Sequence, residues 1–217
     1  MATANNPHKP DSDEATYWQA RHRLAAAARA LNEKLVSSDI NPELAAALTQ
    51  KIDALTAKLS QAQQVDGLID MAKRGERGTI DDVMGELVSV GGRSHPCSPE
   101  LRWQEASNRI TGTVRFSQAF EGPPGHVHGG WVASVLDHLM GMTHVRTGYP
   151  GMTGGLSVRY LKPTPLNQVI EVSAEASELD EKRTEVKAVM RSGETTTATA
   201  EAIFVRVDRA KFGFDEP

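Results

Sequence analysis

The sequence predicts an α+β fold in which a curved antiparallel sheet wraps around one central helix, preceded by an N-terminal α-helical hairpin. Three patterns carry this prediction. Residues 131–142 are apolar on almost every side, which is typical of a buried helix. After them, apolar residues recur at every second position, as in strands with one buried face. Before residue 64 they recur every three or four positions, as in amphipathic helices.

Composition and charge limit the classes of function. The chain has 217 residues, enough for one sizeable domain with an appendage. A net charge of -4 without a basic stripe argues against a nucleic-acid-binding protein. The single cysteine, Cys97, excludes an internal disulfide and a multi-cysteine metal site. Because the first residues are polar and no apolar run reaches membrane length, we expect a cytoplasmic protein without a membrane span.

We divide the chain into four segments. Residues 1–15 are polar and are expected to form a disordered tail. Residues 16–78 are predicted to hold the helical hairpin and a charged, glycine-containing linker, residues 79–210 the main domain, and residues 211–217 a C-terminal tail. The hairpin carries no chemical motif. We interpret it as a packing extension that covers part of the main domain, with a docking or oligomerisation arm as the alternative.

The elements follow from the spacing of apolar residues. Helices are predicted for residues 16–36 and for residues from Pro42 to about 63, since proline is tolerated in a first helical turn. A short helix is expected at 80–88, and strands at 101–104 and 110–116. Four more strands are predicted after the central helix, at residues 156–160, 170–177, 185–190 and 198–205. Their short connections indicate that these later strands are antiparallel neighbours.

The central helix carries one residue that its surroundings do not explain. Asp137 stands in the middle of the apolar stretch, where an isolated buried carboxylate is costly unless it is paired or neutralised. Gly129 and Gly130 open the helix without side chains, so an acceptor can approach the free N–H groups of its first turn. A helix start that binds an oxyanion, together with a buried carboxylate, is the equipment of a hydrolase.

The separation of these groups predicts a dimer. Gly129 and Asp137 are eight residues apart, which is roughly 12 Å along a helix axis. One substrate carbonyl cannot reach both groups on the same helix. The carboxylate must therefore come from a second copy of the helix, lying antiparallel across a two-fold axis.

Residues from about 87 to 207 resemble the PaaI-like and THEM-type acyl-CoA thioesterases of the hotdog fold. The resemblance rests on His128-Gly129-Gly130, with Asp137 nine residues after His128. It also rests on Met152-Thr153 and on the segments 122–125 and 160–166.

The resemblance implies hydrolysis of acyl-CoA to free acid and CoA by a homodimer, possibly a dimer of dimers. It implies that the Gly129 N–H polarises the thioester carbonyl and that Asp137 of the opposite subunit acts as general base or nucleophile. His128 supports the turn and the carbonyl side of the site, and Thr153 orients the attacking water. No metal is implied, and no cofactor beyond the coenzyme A of the substrate. Medium or long fatty acyl groups are favoured, which would place the protein in fatty acid metabolism.

Substrate contacts are expected on the helix and on the next strand. An acyl chain needs an apolar slot, and four helix residues are available to line it: Val132, Val135, Leu136 and Met140. Tyr160 is a further candidate, and Arg159 and Lys162 could meet the phosphates of CoA.

Three alternatives are weighed. A hotdog hydratase acting on enoyl- or hydroxyacyl-CoA usually needs a histidine base beside the aspartate, which the block from His128 to Asp137 does not resemble. Asp137 and Thr153 argue against a non-catalytic acyl-CoA-binding or scaffold protein. Four histidines, at 126, 128, 138 and 144, suggest zinc, but no cysteine or third ligand at metal spacing completes a site. We therefore expect no metal.

Overall fold

A computed structural model describes residues 12–74 and 77–208. Within these residues four helices precede two strands, and a fifth helix precedes four more strands, with a 3₁₀ turn at Gln118–Phe120 before the fifth helix. In chain order the elements are α1 (Ser12–Ser37), α2 (Pro42–Leu59), α3 (Gly67–Lys73), α4 (Ile80–Leu87), β1 (Glu100–Ala106), β2 (Arg109–Arg115), α5 (Gly129–Val145), β3 (Gly151–Tyr160), β4 (Val169–Glu178), β5 (Arg183–Ser192) and β6 (Thr195–Arg206).

The strands form one antiparallel sheet in the order β1-β2-β4-β5-β6-β3. Helix α5 packs against β2, β4, β5, β6 and β3, so the sheet has to bend around it. The predicted α+β class, with a sheet wrapped around a central helix, is confirmed.

The position of β3 differs from the prediction. The strands β4, β5 and β6 are antiparallel neighbours as expected, but β3 pairs with β6 and not with β4. The chain therefore runs from α5 to one edge of the sheet and then returns to its middle through residues 161–168. Residues in that connection are themselves paired, since the Val127 N–H donates to Thr164 O and holds the connection beside the start of α5.

The hydrophobic core lies between the sheet and one side of α5. The strands alternate buried and exposed residues as predicted, and Ile170, Val186 and Met190 are completely buried. The expectation that residues 131–142 have no solvent face is wrong for the single chain. A strip of α5 that includes Gly130, Ser134, Asp137 and Gly141 is exposed or half-buried, because the sheet covers only the opposite side.

A bulge in β3 changes which of its residues face α5. The register against β6 shifts between Thr153 and Gly155, so Gly154 is an extra residue in the strand. Residues an odd number apart in a regular strand point to opposite faces, and an inserted residue reverses this. Thr153 and Tyr160 are seven residues apart, yet both side chains contact α5.

The two N-terminal helices have different environments. Helix α1 begins at Ser12, inside the expected tail, and buries Trp18 with Met71 of α3 and Val83 of α4. Helix α1 thus packs on α3 and α4, while the interpretation of the whole hairpin as a packing extension stays a prediction. Helix α2 is capped by Asn41 and begins with Pro42, but none of its residues is buried. Residues 1–11 of the expected N-terminal tail and the C-terminal tail at 211–217 lie outside the described residues.

The segment between the two N-terminal helices and the main domain contains one helix that the sequence analysis missed. Helix α3 precedes the predicted linker and packs against α4 in the same buried cluster. Helix α4 starts with a capping box between Thr79 and Asp82. Over residues 12–74 and 77–208, no helix combines the length and the apolar character that crossing a bilayer requires.

Candidate active site

The first turn of α5 presents backbone donors at the surface. His128 is the N-cap residue, and its Nδ1 accepts the N–H of Gly130 at 3.0 Å. The N–H of Gly129 has no acceptor within the part of the chain that the structure describes. Gly129 is half-buried and Gly130 is exposed, so a ligand oxygen can approach this turn. The arrangement is that of an anion-binding helix start.

Tyr160 lies against this helix start. Its hydroxyl donates to the carbonyl oxygen of Gly129 at 3.0 Å. A Cβ atom placed on Gly129 would lie 3.4 Å from the Tyr160 ring. The structure therefore brings the predicted substrate-binding residue Tyr160 to the predicted carbonyl-binding residue Gly129.

The loop before α5 fixes the position of His128. Its backbone N–H donates to Phe120 O at 2.9 Å. A Cβ atom on Gly122 would lie only 2.6 Å from the His128 Cα, so a glycine is needed where the two backbones approach. Gly122 belongs to the 122–125 block, and this close approach gives that block a structural role.

Asp137 and Thr153 form the second half of the site. The Thr153 hydroxyl donates to Asp137 Oδ1 at 3.0 Å, and this hydrogen bond connects β3 to α5. Asp137 is half-buried in the single chain, so the expectation of a buried carboxylate is wrong for one copy. The reason is that Asp137 lies on the strip of α5 that the sheet leaves uncovered. The structure brings together Asp137 and Thr153, two residues that the sequence analysis had selected separately.

The two halves remain apart within one chain. Gly129 and Asp137 lie on one regular helix, α5, so they are roughly 12 Å apart along its axis. Tyr160 contacts the first half and Thr153 the second, and no described side chain links them by a hydrogen bond. A single chain therefore presents two half-sites along the same strip of α5.

The predicted acyl slot is not open in the single chain. Its four residues are at most 2% exposed and pack in the core between α5 and the sheet: Val132, Val135, Leu136 and Met140. Their apolar character supports the fold, and their side chains are closed off from solvent in the single chain. Arg159 and Lys162 are exposed and form no ion pair with another described residue. Because strand residues alternate, Arg159 points to the sheet face opposite to Tyr160.

Two histidines of α5 lie in places that the sequence analysis missed. His138 packs edge-on against Trp103 and fills the space beside Gly91, where a Cβ atom would overlap its ring. His144 is fully buried and stacks on Phe204. The glycines that border them, Gly91 and Gly151, were the available signal. Among the described residues no group of three or more histidine, cysteine or acidic side chains is arranged to hold a metal ion.

Buried histidines make stability depend on pH. Burial lowers the pKa of His138, which the nearby charge of Asp137 opposes, and burial lowers the pKa of His144. Both shifts are downward from 6.5, so below about pH 6.5 the unfolded chain binds protons that the folded chain does not. We expect the free energy of unfolding to fall as pH decreases from 7.5 to 5, by up to about 1.4 kcal/mol per pH unit for each histidine.

Urea unfolding at a series of pH values measures this dependence. His138→Gln and His144→Gln are each expected to flatten the slope between about pH 6.5 and 5, whatever their effect on stability at pH 7.5. His126→Gln is the matched control, because His126 lies in the loop before α5. If both variants keep the wild-type dependence of stability on pH, these two histidines are not its cause.

Comparisons with known proteins find thioesterases among the similar proteins. Residues 124–199 match the family model described as the Thioesterase superfamily, and these residues include both half-sites. A solved structure described as a thioesterase superfamily protein is 26% identical, with a TM-score of 0.72. The alignment covers 85% of this chain and 94% of that one. An alignment over 85% of the chain is longer than the segment 79–208, so the aligned region includes part of the N-terminal helices.

Two curated relatives bear the description acyl-coenzyme A thioesterase THEM4. The protein from Rattus norvegicus is 30% identical over 111 residues, and the protein from Mus musculus is 31% identical over 111 residues. Each match covers 50% of this chain and 48% of the relative, so the chain matches about half the length of these relatives. The predicted resemblance to hotdog-fold thioesterases is confirmed.

Proposed function

With the hotdog thioesterase fold as the premise, we propose that this protein hydrolyses acyl-CoA thioesters to a free acid and CoA. The observation that carries the proposal is the 3.0 Å hydrogen bond from Thr153 to Asp137 on the uncovered strip of α5. A carboxylate that a hydroxyl holds in one orientation, and that water can reach, is placed to act as a general base. The names of the THEM4 relatives support the choice of an acyl-CoA substrate.

The free N–H of Gly129 supplies the complementary group. Attack on a thioester carbonyl turns its oxygen into an oxyanion, and a donor already fixed at a helix start stabilises that charge. The Gly130 N–H is engaged by His128 Nδ1, so Gly129 is the available donor in this turn. His128 holds the turn in place, and Tyr160 holds it from the other side through Gly129 O.

A complete site requires a second copy of the chain. The roughly 12 Å between Gly129 and Asp137 along α5 exceeds the reach of one carbonyl group. The uncovered strip of α5 and the edge strand β3 lie side by side, and β3 leaves Leu156 40% and Tyr160 56% exposed. We propose that a second copy covers this surface with its own α5 antiparallel, which joins Gly129 of one protomer to Asp137 of its partner.

The steps then follow from the positions of these groups. Asp137 takes a proton from a water molecule that Thr153 helps to orient, and the water oxygen bonds to the thioester carbon. The carbonyl oxygen becomes an oxyanion that accepts the Gly129 N–H. When the tetrahedral intermediate collapses, the carbon–sulfur bond breaks and the proton held by Asp137 passes to the CoA thiolate. No step uses a metal or a further cofactor.

A thiol-release assay tests the activity. Purified protein is mixed with acyl-CoAs of graded chain length and a thiol reagent, with and without EDTA. We expect release of CoA that persists in EDTA, since the mechanism uses only protein groups and water. Tight binding of acyl-CoA without release of thiol would contradict hydrolysis and would support a non-catalytic acyl-CoA-binding protein.

Thr153 offers a test of the positioning step. Thr153→Val keeps the shape of the side chain but removes the hydroxyl that donates to Asp137, whereas Thr153→Ser keeps the hydroxyl. We expect kcat to fall about tenfold or more in the valine variant, with KM little changed, because loss of a positioning group acts on the reacting geometry. The serine variant is expected to retain most of the activity. Equal kcat values for the two variants would contradict the role of Thr153.

A further inference from the structure

A groove of about 450 Å³ runs between the second half of α1 and the body of the domain. Its apolar lining includes Ala26 and Ala30 of α1, Phe120 of the 3₁₀ turn, and Trp131 of α5. The two alanines are exposed, and their small side chains leave the groove open. Its volume lies in the range of small-molecule sites. The N-terminal extension therefore forms part of a groove that also includes a residue of the first turn of α5.

The groove reaches the helix turn that carries the proposed carbonyl-binding residue. Trp131 belongs to the first turn of α5, two residues after Gly129, and its ring packs edge-on against Phe120 with centroids 4.9 Å apart. Phe120 also accepts the backbone N–H of His128. Two aromatic residues that line the groove are thus tied to the carbonyl-binding turn, Trp131 as a member of it and Phe120 through its hydrogen bond with His128.

The charges of the groove favour a neutral apolar occupant over a polyphosphate. Two arginines, Arg29 and Arg115, and two glutamates, Glu33 and Glu100, lie along it, so the formal charges cancel. Arg29 is also engaged, because it donates to His95 O at 2.8 Å. The phosphates of CoA would need uncompensated cations.

The C-terminal end of α1 adds two apolar residues to the groove. Leu35 and Val36 line it and are 40% and 61% exposed in the described structure. An apolar chain that extended along α1 would remove these side chains from water.

We infer that this groove binds the distal part of a medium or long acyl chain whose thioester carbonyl lies at Gly129. The inference rests on the proposed function and adds the place of the acyl chain and the residues that limit its length. Helix α1 is then a specificity element, and the acyl chain lies beside Trp131 instead of among the four core residues that the sequence suggested.

Two substitutions fill the groove, and one matched substitution does not. Ala26→Trp and Ala30→Trp place a large side chain in it, whereas Ala27→Trp adds the same ring at an exposed position of α1 outside the lining. Each methylene that loses its apolar contact weakens binding about fourfold. We expect kcat/KM for hexadecanoyl-CoA to fall about tenfold or more in the two groove variants and to stay near wild type in Ala27→Trp. For butanoyl-CoA, all three variants should remain within about twofold of wild type, because a short chain does not reach the groove.

Binding of dodecanoate, measured by calorimetry, separates this inference from the proposed function. One outcome is that the protein hydrolyses no acyl-CoA but binds dodecanoate, and that this binding is weakened by Ala30→Trp but not by Ala27→Trp. In that case the proposed function fails and the groove assignment holds. If long-chain thioesters are hydrolysed equally well by wild type and both groove variants, the groove assignment fails and the proposed function holds. Weaker binding of CoA itself in Ala30→Trp would also overturn the assignment, since the groove would then hold the CoA arm.

Discussion

An Asp137→Asn protein is expected to bind acyl-CoA but to hydrolyse it with a kcat lower by about 10²- to 10⁴-fold. Asparagine has almost the shape of aspartate, and its amide oxygen can still accept the Thr153 hydroxyl that now reaches Oδ1 at 3.0 Å. It cannot take a proton from water or attack a carbonyl. The loss should therefore appear in kcat, with KM for the same acyl-CoA changed much less. Steady-state thiol release measures both constants.

Ser134→Ala is the matched control for Asp137→Asn. Ser134 lies on the same strip of α5, where its hydroxyl donates to Gly130 O, so this variant perturbs the same surface without touching the proposed base. We expect its kcat to stay within severalfold of wild type. Thiol release at an undiminished rate in Asp137→Asn would remove Asp137 from catalysis, and an equal loss in both variants would indicate a structural effect.

A Gly129→Pro protein is expected to lose about 10²- to 10³-fold in kcat, because proline deletes the N–H that would stabilise the oxyanion. Gly129 is the first residue of α5, a position where proline is tolerated, and His128 has the extended backbone that a residue before proline adopts. The Gly129 N–H donates to no described acceptor, so its removal breaks no internal hydrogen bond. The substitution therefore removes one donor while the helix is kept.

Gly129→Ala controls for the added atoms. Its Cβ would lie 3.4 Å from the Tyr160 ring, an ordinary contact, and its N–H remains. We expect the alanine variant to keep most of its kcat and the proline variant to unfold at nearly the wild-type urea concentration. A proline variant as active as the alanine variant would show that this donor has no part in the reaction.

Mixing the two inactive variants tests the shared site directly. If Gly129 of one protomer works with Asp137 of its partner, a mixed dimer of Asp137→Asn and Gly129→Pro contains one intact site. Unfolding and refolding an equal mixture should then restore about one quarter of the wild-type activity, because half of the dimers are mixed and each has one of two sites intact. No recovery from a mixture that forms dimers would contradict a site built from two copies.

Much of the site was accessible from the sequence because its signals are local. The order His128, Gly129, Gly130 defines a helix start, and Asp137 follows on the same helix, so their spacing along the axis is fixed by helical geometry. The alternation of apolar residues likewise located β4, β5 and β6. Burial was predicted less well: four apolar residues of α5 that were assigned to an acyl slot lie in the core, since apolar character alone does not distinguish a core from a binding surface.

The sequence by itself determined the α+β class, the central helix and the residues at its start and middle. These depend on periodicity and on short-range backbone geometry. Only the tertiary structure decided that β3 lies at the sheet edge beside β6, that the bulge at Gly154 turns both Thr153 and Tyr160 towards α5, and that α1 and Trp131 line the same groove. Each of these depends on contacts between residues far apart in the chain, whose partners no local pattern specifies.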